Sequence, residues 1–255
     1  MIAALPFASA LLLGMVICLE IGYRMGVRRV ASGPPGGTIS FSTVDGAIFG
    51  LYGLLLAFTF SGAPVRFDAR RHLIAEETNA IGTAYLRLDL LPAETQPALR
   101  ELFREYLTSR LEITRKPDSS EIQAERAMCA KLQTDIWTQA IAATRLPKAH
   151  ADASRLLLPA LNAMIDITTT RTMATKIHPP RIIFGLLFLL ALVCSVLVGY
   201  GMGGSKRRSW IHVGAFVVIS VISVYVILDI EYPRSGLIRL DAYDQVLIEL
   251  RESMK

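Results

Sequence analysis

The chain has 255 residues, of which 52% are hydrophobic and 19% charged, and its mean hydropathy is +0.42. The charged residues avoid four long apolar runs and gather between them, which excludes a wholly soluble chain. The net charge of +5 comes largely from basic clusters at the ends of those runs (Arg28–Arg29, Arg70–Arg71 and Lys206–Arg208), where lipid headgroups account for them without any nucleic acid.

The runs are Pro6–Ile21, Val44–Gly62, Ile182–Gly201 and Ile211–Ile230. Each is about as long as the roughly 20 residues a helix needs to cross hydrocarbon. Backbone N–H and C=O groups must pair internally there, so the runs are helices. The first is expected to remain as an uncleaved helix rather than a removable signal peptide, since no Lys or Arg precedes Leu11–Leu13, and Glu20 and Arg24 follow without a small-residue cleavage site. Ala31–Thr38, rich in Gly and Pro, joins the first pair of runs, and a basic hairpin over Gly203–Ser209 joins the second pair on the same side. The charged middle and both termini share the other side. The expected division is a first membrane pair over 1–63, a helical extramembrane domain over 64–178, a second pair over 179–231 and a tail over 232–255.

The middle reads as helices. Phe67, Ile74, Thr78, Ile81, Tyr85 and Leu88 recur at the spacing of one helical face, so a single helix leaves the membrane after the second run, kinked at Pro64. Pro92 and Pro97 end it and start another, with Leu99, Leu102, Phe103, Tyr106 and Leu107 on one side. After a turn at Lys116–Ser120 with a capping serine, a third helix turns Ile122, Cys129, Leu132 and Ile136 inward and ends near Pro147. A fourth spans about Ala149–Met173 and bends at Pro159, before Pro179–Pro180 punctuates the return to the membrane. No segment alternates with period two, so no sheet is expected.

No enzyme signature is present: neither HExxH, GxSxG, a phosphate-binding loop nor CxxC occurs. The three cysteines, Cys18, Cys129 and Cys194, have no paired spacing, and the four histidines, His72, His150, His178 and His212, are scattered, so no metal site or cofactor is indicated. Glu76–Glu77 reads as a solvated face. Glu20 and Asp229 lie near the ends of their runs, which leaves no proton relay through the membrane. Six basic residues on the hairpin side against eight on the domain side leave orientation undecided by charge.

The second run is the informative one. Gly46, Gly50, Gly53, Ala57 and Ser61 form a stripe of small residues, which suits close helix packing. Beside it Leu51, Leu54, Phe58 and Gly62 form a row that around a symmetry axis would stack as apolar rings, the kind of constriction that gates by dewetting. From these residues alone a helix-packing face is the expected reading, with a pore-lining row as the alternative.

Leu56-Ala57-Phe58, followed eight positions after the phenylalanine by Arg66-Phe67 and then by Arg70 and Arg71, resembles the bestrophin channels. The order of elements is similar over nearly the whole chain, including the Pro-containing segment Asp229–Gly236 after the fourth run, and the chain resembles bacterial bestrophin-like membrane proteins. The resemblance implies an all-α integral membrane fold and a homo-oligomer, a pentamer, in the bacterial inner (plasma) membrane with its helical domain in the cytoplasm. It implies an ion channel whose second helix lines an apolar neck at Gly50, Leu54 and Phe58. Arg66, Arg70, Arg71, Glu76 and Glu77 then stand at the inner mouth. The arginines favour anions and the glutamates cations, so inorganic ions are the expected cargo with selectivity open. The sequence departs from the family at Thr59-Phe60-Ser61 and at Pro64. The acidic run that binds calcium in animal bestrophins is reduced to Asp229 and Glu231, beside Pro233, which argues against calcium gating. The alternative is a non-conducting scaffold or sensor whose helical domain binds a partner.

Overall fold

The computed structural model describes residues 4–32, 42–115, 122–204, 210–233, 236–238, 240 and 242–254. Most of the Ala31–Thr38 connection, the Lys116–Ser120 turn, most of the basic hairpin, Arg234 and Arg239 lie outside the described residues. The helices are α1 (Ala4–Ala31), α2 (Thr43–Leu86), α3 (Gln96–Arg115), α4 (Ile122–Thr144), α5 (Ala153–Lys176), α6 (Arg181–Met202), α7 (Trp210–Glu231) and α8 (Gln245–Ser253), with a 3-10 turn at Arg87–Leu90. No strand occurs among the described residues. Four helices are long and apolar enough to cross a membrane: α1, the first part of α2, α6 and α7. The protein is an all-helical integral membrane protein.

Helix α2 begins on a reciprocal cap. The Ser42 N–H donates to Asp45 Oδ2 at 2.7 Å and the Asp45 N–H donates to Ser42 Oγ at 3.2 Å, so two of the helix's orphan donors are satisfied. Asp45, which falls inside the second apolar run, is thus a capping residue. The helix continues through Pro64 without a break and then tightens into the 3-10 turn. Leu91 is extended (φ −88°, ψ 159°), as the residue before Pro92 must be.

The chain forms two compact units, one of Met1–Phe67 with His178–Arg239 and one of Asp68–Ile177 with Leu240–Lys255. In the first unit α1 and α6 run side by side in the same direction. A Cβ on Gly22 would lie 2.0 Å from the Val196 carbonyl oxygen, one on Gly26 2.3 Å from that of Tyr200, and one on Gly199 2.1 Å from that of Leu19. Only glycine permits backbones to approach so closely, and lipid tails give aliphatic side chains no comparable reason to associate. Helix α7 packs on this pair through Val213, Val217, Val224 and Leu228. Helix α2 joins by larger side chains, with Phe49 edge-on to Phe216 at 6.2 Å and Ala63 buried against Ile227 and Ile230.

The second unit has a water-soluble type of core. Ile74 and Ile81 from α2, Leu99, Phe103, Tyr106 and Leu107 from α3, Ile136 from α4 and Leu157 and Leu161 from α5 are at most 1% exposed. Each such side chain contributes about 1.5–3 kcal/mol on burial. Helix α8 adds Leu247, and Arg251 Nε donates to Thr108 Oγ1 of α3 at 2.8 Å.

Candidate functional site

In the first unit, α2 turns one side toward α7 and leaves the other uncovered. Tyr52, Thr59 and Ala63 are buried, whereas Leu51 and Leu54 are each 53% exposed, Phe58 67% and Val65 68%. A Cβ added at Gly46, Gly50 or Gly53 would meet nothing within 4 Å. The small-residue stripe is therefore not a packing face within the chain. The packing glycines are Gly22, Gly26, Gly199 and Gly203, and their shared Gly-x-x-x-Gly spacing made them legible in the sequence.

Where α7 ends, its two acids are buried and occupied. Asp229 accepts the backbone N–H groups of Leu237 and Ile238 at 2.8–3.1 Å, and a Cβ on Gly236 would overlap its carboxylate, so glycine is required where the chain folds over it. Glu231, with its side chain fully buried, accepts from Arg66 Nε at 2.9 and 3.2 Å and pairs with Arg66 Nη2 at 2.9 Å. His178 Nδ1 lies 3.0 Å from Glu231 Oε1, and the His178 ring stacks on Tyr232 with centroids 4.8 Å apart. Charge-assisted contacts of this kind offset the cost of burying the carboxylate. Pro233 is buried beside them. Among the scattered histidines, His178 thus has a defined partner.

In the second unit, Glu77 is fully buried rather than solvated, which corrects the expectation for the Glu76–Glu77 pair. It accepts from Arg110 Nε at 2.5 Å and from Arg171 Nη1, while Arg171 Nη2 reaches Asp244 Oδ1 at 3.0 Å. Burial alone would raise the Glu77 carboxyl, but Arg110 and Arg171 outweigh it and hold it below the ordinary carboxylate value. Burial would likewise lower Arg110, and the Glu77 carboxylate raises it instead. Helical spacing contained this network: Glu77 falls between Ile74 and Ile81 on the core face of α2, and Arg110 follows Phe103, Tyr106 and Leu107 on that of α3. A charged residue at a core position calls for a buried partner.

The other residues expected at the inner mouth separate. Arg70 is 6% exposed and donates to the carbonyl oxygens of Ala174 and Ile177 at 3.2 and 2.9 Å, satisfying orphan acceptors at the end of α5. Arg71 donates to the Tyr243 hydroxyl at 3.1 Å, lies over that ring and is 3.4 Å from Asp68. Glu76 is exposed and has no ion-pair partner among the described residues. No group of three or more His, Cys, Asp or Glu among the described residues is arranged to hold a metal ion.

The family model of the Bestrophin-like domain matches residues 41–242, from just before α2 to beyond α7. The chain belongs to the bestrophin-like family. Solved structures agree on the fold. A bacterial bestrophin homologue from Klebsiella pneumoniae carrying a tryptophan-to-alanine substitution is similar with a TM-score of 0.68 and 12% identity, over 94% of this chain and 97% of that one. The same homologue with a tyrosine-to-alanine substitution gives 0.63 and 17%, over 94% and 98%. A structure described as a membrane protein with a leucine-to-alanine substitution gives 0.63 and 13%, over 93% and 99%. No curated protein matches the sequence. In this bestrophin-like chain the membrane helices, the helical domain and the Asp229–Ile238 segment are the parts on which a function can be built.

Proposed function

We propose that the protein is a bestrophin-type oligomeric ion channel, a pentamer, in which α2 lines the pathway and Phe58 forms its narrowest apolar ring. The observation that carries this reading is the uncovered face of α2. On α1 the exposed face is made of Leu12, Leu13, Val16, Ile17 and Ile21, the residues that lipid solvates. On α2 the exposed face carries Gly46, Gly50, Gly53, Ala57 and Ser61 beside Leu51, Leu54 and Phe58. Small residues suit the close approach of another helix backbone, which a second copy of α2 would supply. The larger apolar residues beside the stripe then face the axis, where a dry ring resists ions because they shed hydration without gaining ligands.

The test is current from purified protein in planar bilayers. Phe58→Ala raises conductance or open probability, and Leu54→Ala does so more weakly. If Phe58 instead packs against a neighbouring helix, its truncation costs on the order of 3–5 kcal/mol of oligomer stability, as for a buried Phe in a soluble core, and no current is gained. Repeated absence of anion and cation current with verified insertion supports the non-conducting scaffold.

The same reading puts the protein in the bacterial inner membrane with its second unit in the cytoplasm. Glu105 is exposed on α3. A Glu105→Cys variant stays unmodified by an impermeant maleimide in intact cells and reacts after lysis; labelling of intact cells would reverse the topology.

A further inference from the structure

On the reading that α2 lines the ion pathway, we infer that residues 61–66 form a pinned hinge in that helix, with the Arg66–Glu231 pair as the pin and Gly62 as its seat. A Ser-Gly pair at Ser61 and Gly62 and a proline at Pro64 bring together, within one turn, the features at which helices bend. Pro64 has no N–H to give the Phe60 carbonyl. The hydroxyls of Ser61 and Thr59 bond back to the carbonyls of Phe58 and Leu55 at 3.4 and 2.7 Å, which loosens the same stretch. This is also where the sequence departs from the bestrophin pattern, at Thr59-Phe60-Ser61 and Pro64. The helix nonetheless runs through unbroken.

Contacts inside the membrane unit hold it straight. Ala63 is fully buried against Ile227 and Ile230 of α7. Arg66 grips Glu231, the last residue of α7, through Nε and Nη2, both 2.9 Å from Oε2, with Nε also 3.2 Å from Oε1. Its third nitrogen, Nη1, lies over Gly62 one turn back, 2.9 Å from where a Cβ would stand. A larger residue at 62 therefore lifts the guanidinium off a carboxylate that is fully buried. Gly62 follows Phe58 by four positions and shares its helical face, so the row of Leu54 and Phe58 ends under the pin rather than at an open glycine. A bend between 61 and 64 swings the turn that carries Phe58 relative to the end of α7, and the pin opposes that bend.

The experiment is a mutant cycle on the full-length protein, read both as melting temperature in mild detergent and as open probability in planar bilayers. Gly62→Ala and Glu231→Gln each lower the melting temperature and shift open probability in the same direction by about fivefold or more, the lower end of typical couplings between sites. Arg66→Met with Glu231→Met removes both charges together, so that neither is left buried alone. In that background Gly62→Ala costs nothing and raises the melting temperature slightly, because alanine favours helix over glycine. Pro64→Ala returns the missing N–H, and on it Glu231→Gln still lowers the melting temperature but shifts open probability by less than about twofold. A Gly62→Ala effect of equal size with and without the Arg66–Glu231 pair overturns the seat and puts Gly62 in the pathway row. Lowered melting with unaltered open probability makes the pair a structural contact only, which overturns the hinge and leaves the channel intact. Absence of any current in the wild type, with insertion verified, overturns the channel reading and the hinge's part in it, and the melting cycle then decides the seat by itself.

Discussion

One chain builds its two units for two solvents, and the difference lies in what each unit buries. The membrane unit is held where side chains are missing: Gly22, Gly26, Gly199 and Gly203 bring the α1 and α6 backbones into contact. The other unit is held where side chains are large, around Phe103, Tyr106, Leu157 and Leu161, and it also encloses a carboxylate between two guanidinium groups. In water, burying apolar area is favourable in itself. In lipid it is nearly neutral, so contact requires close backbone approach and dispersion over a smooth face. A stripe of glycines therefore matters in the membrane unit and would only weaken the other.

The comparison breaks most sharply at the glycines. Gly22→Leu or Gly199→Leu inserts a side chain where a carbonyl already lies 2.0–2.1 Å from the Cβ position. Overpacking of adaptable cores costs about 1–3 kcal/mol, occasionally more. Here the obstacle is backbone, so the loss lies at or above the top of that range and is read as failure to recover folded protein from mild detergent.

Removing the buried acid of the second unit is the next largest change. Glu77→Ala leaves Arg110 and Arg171 without their carboxylate and destabilises by about 3–5 kcal/mol, measured as a lower melting temperature. Substituting Glu77, Arg110, Arg171 and Asp244 together by apolar residues of matched volume recovers much of the loss, because no member of the network is then left buried without its partner.

A smaller effect sharpens the same point with pH. The Glu77 carboxyl is held below its ordinary value of 4.5, so the folded state binds the proton more weakly than the unfolded chain does. Its contribution is present above about pH 4.5 and is lost as pH falls toward and through the folded value. The melting temperature of the wild type drops over that acid range, and Glu77→Gln, already destabilised at neutral pH, shows a shallower drop.

The smallest effect is expected at the second glycine stripe. Gly50→Ala or Gly53→Ala meets nothing within the chain, so the protomer loses no stability and the better helix propensity of alanine raises it by at most about 1 kcal/mol. A shift in oligomer population on size-exclusion chromatography at unchanged melting of the protomer places the stripe between copies. A large loss of protomer stability would contradict the uncovered face.

The sequence by itself determined the solvent, the helices and their order. Runs of about 20 apolar residues leave the backbone no option in lipid but to bond to itself, and prolines such as Pro92 mark helix ends through local sterics. It also contained the resemblance that the Bestrophin-like match over 41–242 bears out. What only the tertiary structure decided is which of several identical local signals find partners. Closely spaced glycines look alike along the chain, yet Gly22 of α1 meets Val196 and Gly199 of α6 meets Leu19, while Gly46, Gly50 and Gly53 of α2 meet nothing. Two adjacent glutamates look alike, yet 100° of helical rotation separates them, so Glu77 is enclosed by Arg110 and Arg171 and Glu76 is left exposed. Three arginines after Phe58 look like one basic patch until Glu231, the α5 carbonyls and Tyr243 each take one. Local chemistry says what a residue can do; partners far along the chain, such as Arg171 94 positions from Glu77 and Tyr243 172 positions from Arg71, settle what it does, because burial and pairing depend on which helices the fold brings together.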